Sequence, residues 1–113
     1  MKDLSDWIQQ LKKTEKLIIV EGKKDKAALE NLGIKNIITI NKPLFAIVEE
    51  ISAIAKECII LTDLDEEGRK LYAYLKRNLP RNGVKVDVVF REFLFKKTKL
   101  THIEGLQKYL SKE

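Results

Sequence analysis

Three acidic residues stand where two apolar runs end. Glu21 follows Leu17, Ile18, Ile19 and Val20, while Asp63 and Asp65 follow Cys58, Ile59, Ile60 and Leu61 after a single threonine. Asp63 and Asp65 are two positions apart, so in an extended strand end both side chains point to one face. Carboxylates forced together repel and raise one another's pKa values, and a divalent cation removes that cost. Oxygen ligands suit a hard ion such as Mg²⁺, for which Mn²⁺ can substitute. Two such ions bridged by a shared carboxylate would form a phosphodiester-transfer site. A structural role stands beside this one, because Asp65 directly precedes a helical pattern and could serve as its N-cap.

These acids need elements to position them, and the periodicity supplies those elements. Leu4, Trp7, Ile8 and Leu11 recur at helical spacing, so the chain opens with a short amphipathic helix. Residues 17–20 read as a buried strand, residues 24–32 as a helix with Gly33 as its C-cap, and residues 37–40 as a second strand. Pro43 suits the first turn of a third helix, with Phe45, Val48, Ile51, Ile54 and Ala55 as its inner face. Residues 58–61 form the third strand, 66–79 a helix ended by Pro80 and Gly83, and 84–90 a fourth strand. A basic-aromatic segment over 91–99 and a short helix over 102–110 complete the chain.

Strands alternating with helices predict an α/β domain with about four parallel strands flanked by helices, a three-layer Rossmann-like arrangement. Ligands in such sheets bind beyond the carboxyl ends of the strands, where strand order reverses. If the first strand lies between the second and third, that point falls between Glu21 on one side and Asp63 and Asp65 on the other. The 113 residues suffice for one core, so a single domain over 1–113 is expected.

Composition excludes several classes. One Cys and one His leave no disulfide framework and poor support for a His/Cys metal cluster. No apolar run approaches membrane-spanning length, and the charged N-terminus lacks a signal-peptide pattern, so a cytoplasmic protein with no membrane partner is expected. The phosphate-loop and dinucleotide-binding glycine motifs are absent. The run Asp63, Asp65, Glu67 and Gly68 resembles the start of a calcium loop, but its twelfth position is Tyr74 rather than Glu.

Val20-Glu21-Gly22 after the first strand and Thr62-Asp63-Leu64-Asp65-Glu66-Glu67-Gly68 after the third together resemble the Toprim domain. This is the catalytic domain shared by type IA and type II topoisomerases, bacterial-type primases, certain repair proteins and a ribosomal-RNA maturation nuclease. The resemblance covers residues 15–90 and is nearest to small stand-alone Toprim proteins, whose tail segment is similar to Thr101-His102-Ile103-Glu104-Gly105-Leu106. It implies a glutamate acting as general acid or base and an Asp-x-Asp pair holding Mg²⁺. Glu21 would take the first role and could also ligate metal, and Asp63 and Asp65 would be the metal ligands. Leu64 stands where many relatives have proline. A complete topoisomerase is excluded, since its nucleophilic tyrosine belongs to another domain, and so is a primase without template-binding and zinc modules.

The charge distribution suits a nucleic-acid partner, RNA or DNA. Residues 69–99 carry 10 basic and 2 acidic side chains, net +8, whereas residues 1–68 carry 10 and 13, net −3. Arg69, Lys70, Lys76 and Arg77 share one helix face, and Lys24 flanks Glu21. With Arg81, Arg91, Lys96, Lys97 and Lys99 they could line a phosphate track, on which Phe93 and Phe95 could stack bases or, alternatively, pack in the core. Two functions follow: a Mg²⁺-dependent nuclease-like enzyme, or a non-catalytic binding or adaptor module of a larger nucleic-acid-processing complex. His102 is expected only to open the terminal helix.

Overall fold

A computed structural model describes residues 1–111. The elements in chain order are α1 (Leu4–Lys13), β1 (Leu17–Val20), α2 (Lys23–Glu30), β2 (Ile37–Thr39), α3 (Leu44–Ile54), β3 (Glu57–Ile60), α4 (Glu66–Arg81), β4 (Lys85–Asp87), α5 (Val89–Lys97), a 3-10 turn at Ile103–Gly105, and α6 (Leu106–Ser111). The four strands form one parallel sheet in the order β2-β1-β3-β4. Strand order therefore reverses between β1 and β3, as the sequence expectation required.

Strand residues alternate between two cores, which makes the molecule three-layered. Ile18, Val20 and Ile59 point toward Trp7, Leu11, Leu29, Phe90 and Leu94 of α1, α2 and the region of α5. Leu17, Ile19, Cys58 and Ile60 point the other way, onto Ile47, Val48 and Ile51 of α3 and Leu75 and Leu79 of α4. Cys58 is fully enclosed, and burial pushes its thiol up to about 12, which leaves it a small apolar core residue. At the sheet's far end Lys16 Nζ joins β3 to β4, 3.2 Å from Glu57 Oε2 and 2.8 Å from Asp87 Oδ2.

Three expectations need correction. First, the fourth strand stops at Asp87, and residues 89–97 of the supposed strand end and basic-aromatic segment form α5. Val88, Val89 and Phe90 carry strand-like side chains, but Asp87 Oδ1 accepts from Val89 N at 3.0 Å and turns the chain. Phe90 and Leu94, one helical turn apart, then bury together. Second, Phe45 and Ile54 are 64% and 63% exposed rather than on the inner face of α3. Nine residues at about 100° each place them about 180° apart, so both cannot share the face centred on Ile47, Val48 and Ile51. Third, α4 runs through Pro80 to Arg81. The side-chain amides of Asn78 and Asn82 donate to Tyr74 O and Asn78 O around this last turn.

Trp7 shows how α1 is held. Its ring is fully buried, and Nε1 donates to Phe90 O at 2.8 Å, linking the first helix to the start of α5. Trp7→Phe keeps most of the apolar area but leaves that carbonyl unpaired. It should cost about 1–3 kcal/mol, read as a lower urea midpoint with unchanged slope.

Candidate metal centre

β1 and β3 end side by side, and the residues beyond them form the acidic site. Glu21 leaves β1 and its Oε1 accepts from Asp63 N at 2.8 Å. Asp63 is 7% exposed, and its Oδ1 accepts from Ile103 N at 2.7 Å. Asp65 is the N-cap of α4: its Oδ1 accepts from Gly68 N at 2.8 Å, while Oδ2 lies 3.1 Å from His102 Nε2. Capping thus takes one oxygen of Asp65 and leaves the other facing His102. Among the described residues, the group whose donor atoms all lie within 4.8 Å of one another is Asp63, Asp65 and His102. Glu21 sits beside that group, against the Asp63 backbone.

Two buried partners hold this corner. The Arg91 guanidinium donates from Nε to Thr62 O at 3.0 Å and from Nη2 to Asp63 O at 2.7 Å, and it stacks 4.2 Å from the Tyr72 ring centroid. Arg91 is 7% exposed, so it leaves the proposed phosphate track and becomes a brace for the carbonyls of the acidic loop. Gly68, in the first turn of α4, lies so close that a Cβ there would overlap the Asp63 carbonyl and come 2.7 Å from Glu21 Oε1. Thr62 Oγ1 completes the corner, donating to Gly68 O at 2.8 Å. Asp25 accepts from Gly22 N at 3.1 Å and closes the turn after Glu21.

Electrostatics divide the acids into two kinds. Burial raises Glu21 and Asp63 above the ordinary carboxylate range, and the neighbouring carboxylates add to the rise. The amides of Asp63 and Ile103, respectively, partly offset it. Burial likewise raises Asp25. The exposed Asp65 is lowered, first by its bond from Gly68 N and then by His102. Crowded oxygen donors that are costly to ionise without a counter-charge are what a divalent cation compensates, so the donor set fits such an ion.

The segment 101–103 was not foreseen as part of the site. Thr101 O accepts from Leu64 N at 2.8 Å, Ile103 N reaches Asp63, and Thr101 Oγ1 lies 2.9 Å from His102 Nδ1. The sequence held two signals for it: His102 is the sole imidazole, and the stretch 101–106 resembles the tail of small stand-alone Toprim proteins. Lys24, Arg69, Lys70, Lys76 and Arg77 are all exposed. Arg69 and Lys70 begin α4 close to Asp65, and Lys70 also pairs with Glu66 Oε1 at 3.3 Å. Phe93 and Phe95 are partly buried against the core on the α1 side, the alternative to base stacking.

Comparison with known proteins agrees with this geometry. A family model described as the Toprim domain matches residues 15–90, the stretch containing β1, β3 and all three acids. The chain belongs to the Toprim domain family. It is also 36% identical to a UPF0292 protein of Methanocaldococcus jannaschii, over 96% of this chain and 91% of that one. A UPF0292 protein of Pyrococcus abyssi is 39% identical over 77% of this chain and 67% of its own. A solved structure, a putative protein from Aquifex aeolicus, superposes with a TM-score of 0.85 at 39% identity, covering 92% of this chain and 98% of that one. The Toprim match ends before residue 91, so the brace from Arg91 and the contacts of residues 101–103 lie outside it.

Two consequences are measurable. Because Glu21 and Asp63 titrate above the ordinary range, the folded state holds their protons to higher pH than the unfolded chain does. Metal-free stability should therefore fall as pH rises through and above that range. Glu21→Gln keeps an oxygen for Asp63 N while removing the charge. In chelator at pH 7 it should raise stability by a few tenths to about 1 kcal/mol and flatten the pH dependence, read by thermal melts from pH 4 to 8. Gly68→Ala should do the reverse, forcing the start of α4 off the Asp63 carbonyl at a cost of about 3 kcal/mol or more in urea melts.

Proposed function

We propose that this Toprim chain is a Mg²⁺-dependent nucleic-acid-processing enzyme with nuclease-like phosphodiester-transfer chemistry on RNA or DNA, and that residues 1–113 work as one unit. The observation that carries the reading is the pairing of Glu21 with the Asp63 backbone across the β1–β3 switch point, with Asp65 heading α4 beside them. Asp63 and Asp65 would hold Mg²⁺, or Mn²⁺ in its place, and Glu21 could join them. The bound ion would supply charge stabilisation at phosphorus. Glu21, raised by burial above the ordinary glutamate, would hold a proton more readily than a free carboxylate, which suits the role of general acid or base.

The rest of the chain would present the substrate. The first turn of α4 offers backbone amides and Gly68 next to the acids, a favourable end for a phosphate. Arg69, Lys70, Lys76 and Arg77 continue along the exposed face of α4, and Lys24 stands on the α2 side of Glu21, so a phosphate backbone could cross the site between them.

One observation favours a second reading. Asp63 and Asp65 each have a protein partner, Ile103 N and Gly68 N, so the acids could also serve a non-catalytic binding or adaptor module of a larger complex. Turnover separates the two. Labelled single- and double-stranded RNA and DNA should be cut with Mg²⁺ or Mn²⁺ and not with chelator, and Asp63→Asn should lower the rate on the order of 100-fold or more. Salt-sensitive binding without cleavage on all four substrates would reject the enzyme and leave the adaptor. Cleavage persisting in Asp63→Asn with metal affinity intact would reject the site assignment.

A further inference from the structure

Toprim-type metal sites are read through carboxylates, yet Asp65 Oδ2 here lies 3.1 Å from a nitrogen, His102 Nε2. Two cis ligands about 2.1 Å from one octahedral ion lie about 3.0 Å apart, so this separation already matches a shared coordination edge. The backbone fixes the ring's position from both sides. Thr101 O is tied to Leu64 N at 2.8 Å and Ile103 N to Asp63 Oδ1 at 2.7 Å, which leaves His102 between two anchors on the acidic loop itself. Thr101 Oγ1, 2.9 Å from Nδ1, can accept a proton there and so leave the Nε2 lone pair directed at Asp65. At this distance either a proton on Nε2 or a metal ion between the two atoms satisfies both, so the ion would take the proton's place. The side chains of His102 and Asp65 are 49% and 42% exposed, which lets an ion enter from solvent.

We infer that His102 is a nitrogen ligand completing the metal site with Asp63 and Asp65, and that it tunes the site toward Mn²⁺ over Mg²⁺. The inference rests on the proposed metal-binding role of Asp63 and Asp65 and adds the identity of the ion class and of a ligand from outside the matched domain. Imidazole suits transition ions, whereas Mg²⁺ strongly prefers oxygen, so one nitrogen among the donors shifts preference without abolishing Mg²⁺ binding.

The test is metal binding by the full chain, independent of any cleavage. Mn²⁺ would be titrated by the electron paramagnetic resonance signal of the free ion, with Mg²⁺ as competitor, for the native chain, His102→Ala, His102→Asp and Asp63→Asn. Thermal melts in chelator would establish that each variant is folded. Bound Mn²⁺ should show nitrogen-14 hyperfine coupling that disappears in His102→Ala. That change should weaken Mn²⁺ about tenfold or more and Mg²⁺ less than about threefold, while His102→Asp should move preference back toward Mg²⁺. Absence of nitrogen coupling in the native complex, or equal weakening of both ions by His102→Ala, would overturn the role of His102 alone if Asp63→Asn still abolishes binding. Unchanged Mn²⁺ affinity in Asp63→Asn would overturn the acidic site and this inference together.

Discussion

Asp63 is held by its main chain and its side chain at once, and the geometry of the site depends on that. Its amide donates to Glu21, its carbonyl accepts from Arg91, and its carboxylate accepts from Ile103. Those partners come from the end of β1, from α5 and from the tail after α5, so three parts of the chain meet on one residue. Gly68 closes the fourth side, because only a residue without Cβ lets α4 start so near the Asp63 carbonyl. A buried carboxylate held this way cannot swing out to solvent to relieve its desolvation. The resulting rise in pKa follows from the fold, and it is the condition a cation would relieve.

The parts of this arrangement that the sequence revealed are those with local causes. The apolar runs 17–20 and 58–61 carry β1 and most of β3, and the acids that follow each run were enough to locate Glu21, Asp63 and Asp65 at one end of the sheet. Asp65 as an N-cap was also legible, since capping is decided within three residues. Arg91 and residues 101–103 were not legible, because their partners lie 28 to 40 residues away and only tertiary packing chooses them. The same limit explains α5. A β-branched pair followed by phenylalanine fits a strand by propensity, and the decision went instead to a turn at Asp87 and to the burial of Phe90 and Leu94 beneath α1. On α3, counting apolar residues every third position overstated the inner face, since that spacing drifts around the helix.

Arg91 shows how a charge can support an acidic site without forming an ion pair across it. Its donors reach two carbonyls rather than two carboxylates, and Tyr72 and Phe95 cover its faces, the guanidinium lying 4.2 and 5.3 Å from their ring centroids. The carboxylates therefore keep their free oxygens and feel a nearby positive charge only through space. Had the guanidinium bonded the Asp63 carboxylate directly, that acid would have been neutralised within the protein and its affinity for a cation reduced. Arg91 thus braces the backbone and leaves the Asp63 carboxylate without a cationic partner of its own, its one bond coming from the Ile103 amide.

The two oxygens of Asp65 have different partners. A helix cap and a metal ligand are usually weighed as rival explanations for an aspartate at such a position. Here Oδ1 is committed to Gly68 N and Oδ2 faces His102. Capping fixes the rotamer, and a fixed rotamer aims the second oxygen at His102, so the cap also sets where a ligand oxygen would stand. The same bond lowers the pKa of Asp65, so it ionises at lower pH than its neighbours, the half-buried Glu21 and the buried Asp63. One acid thus ionises more readily and faces outward while two are sheltered and more reluctant to ionise. That asymmetry is generated entirely by where a helix begins and how deeply two strand ends are buried.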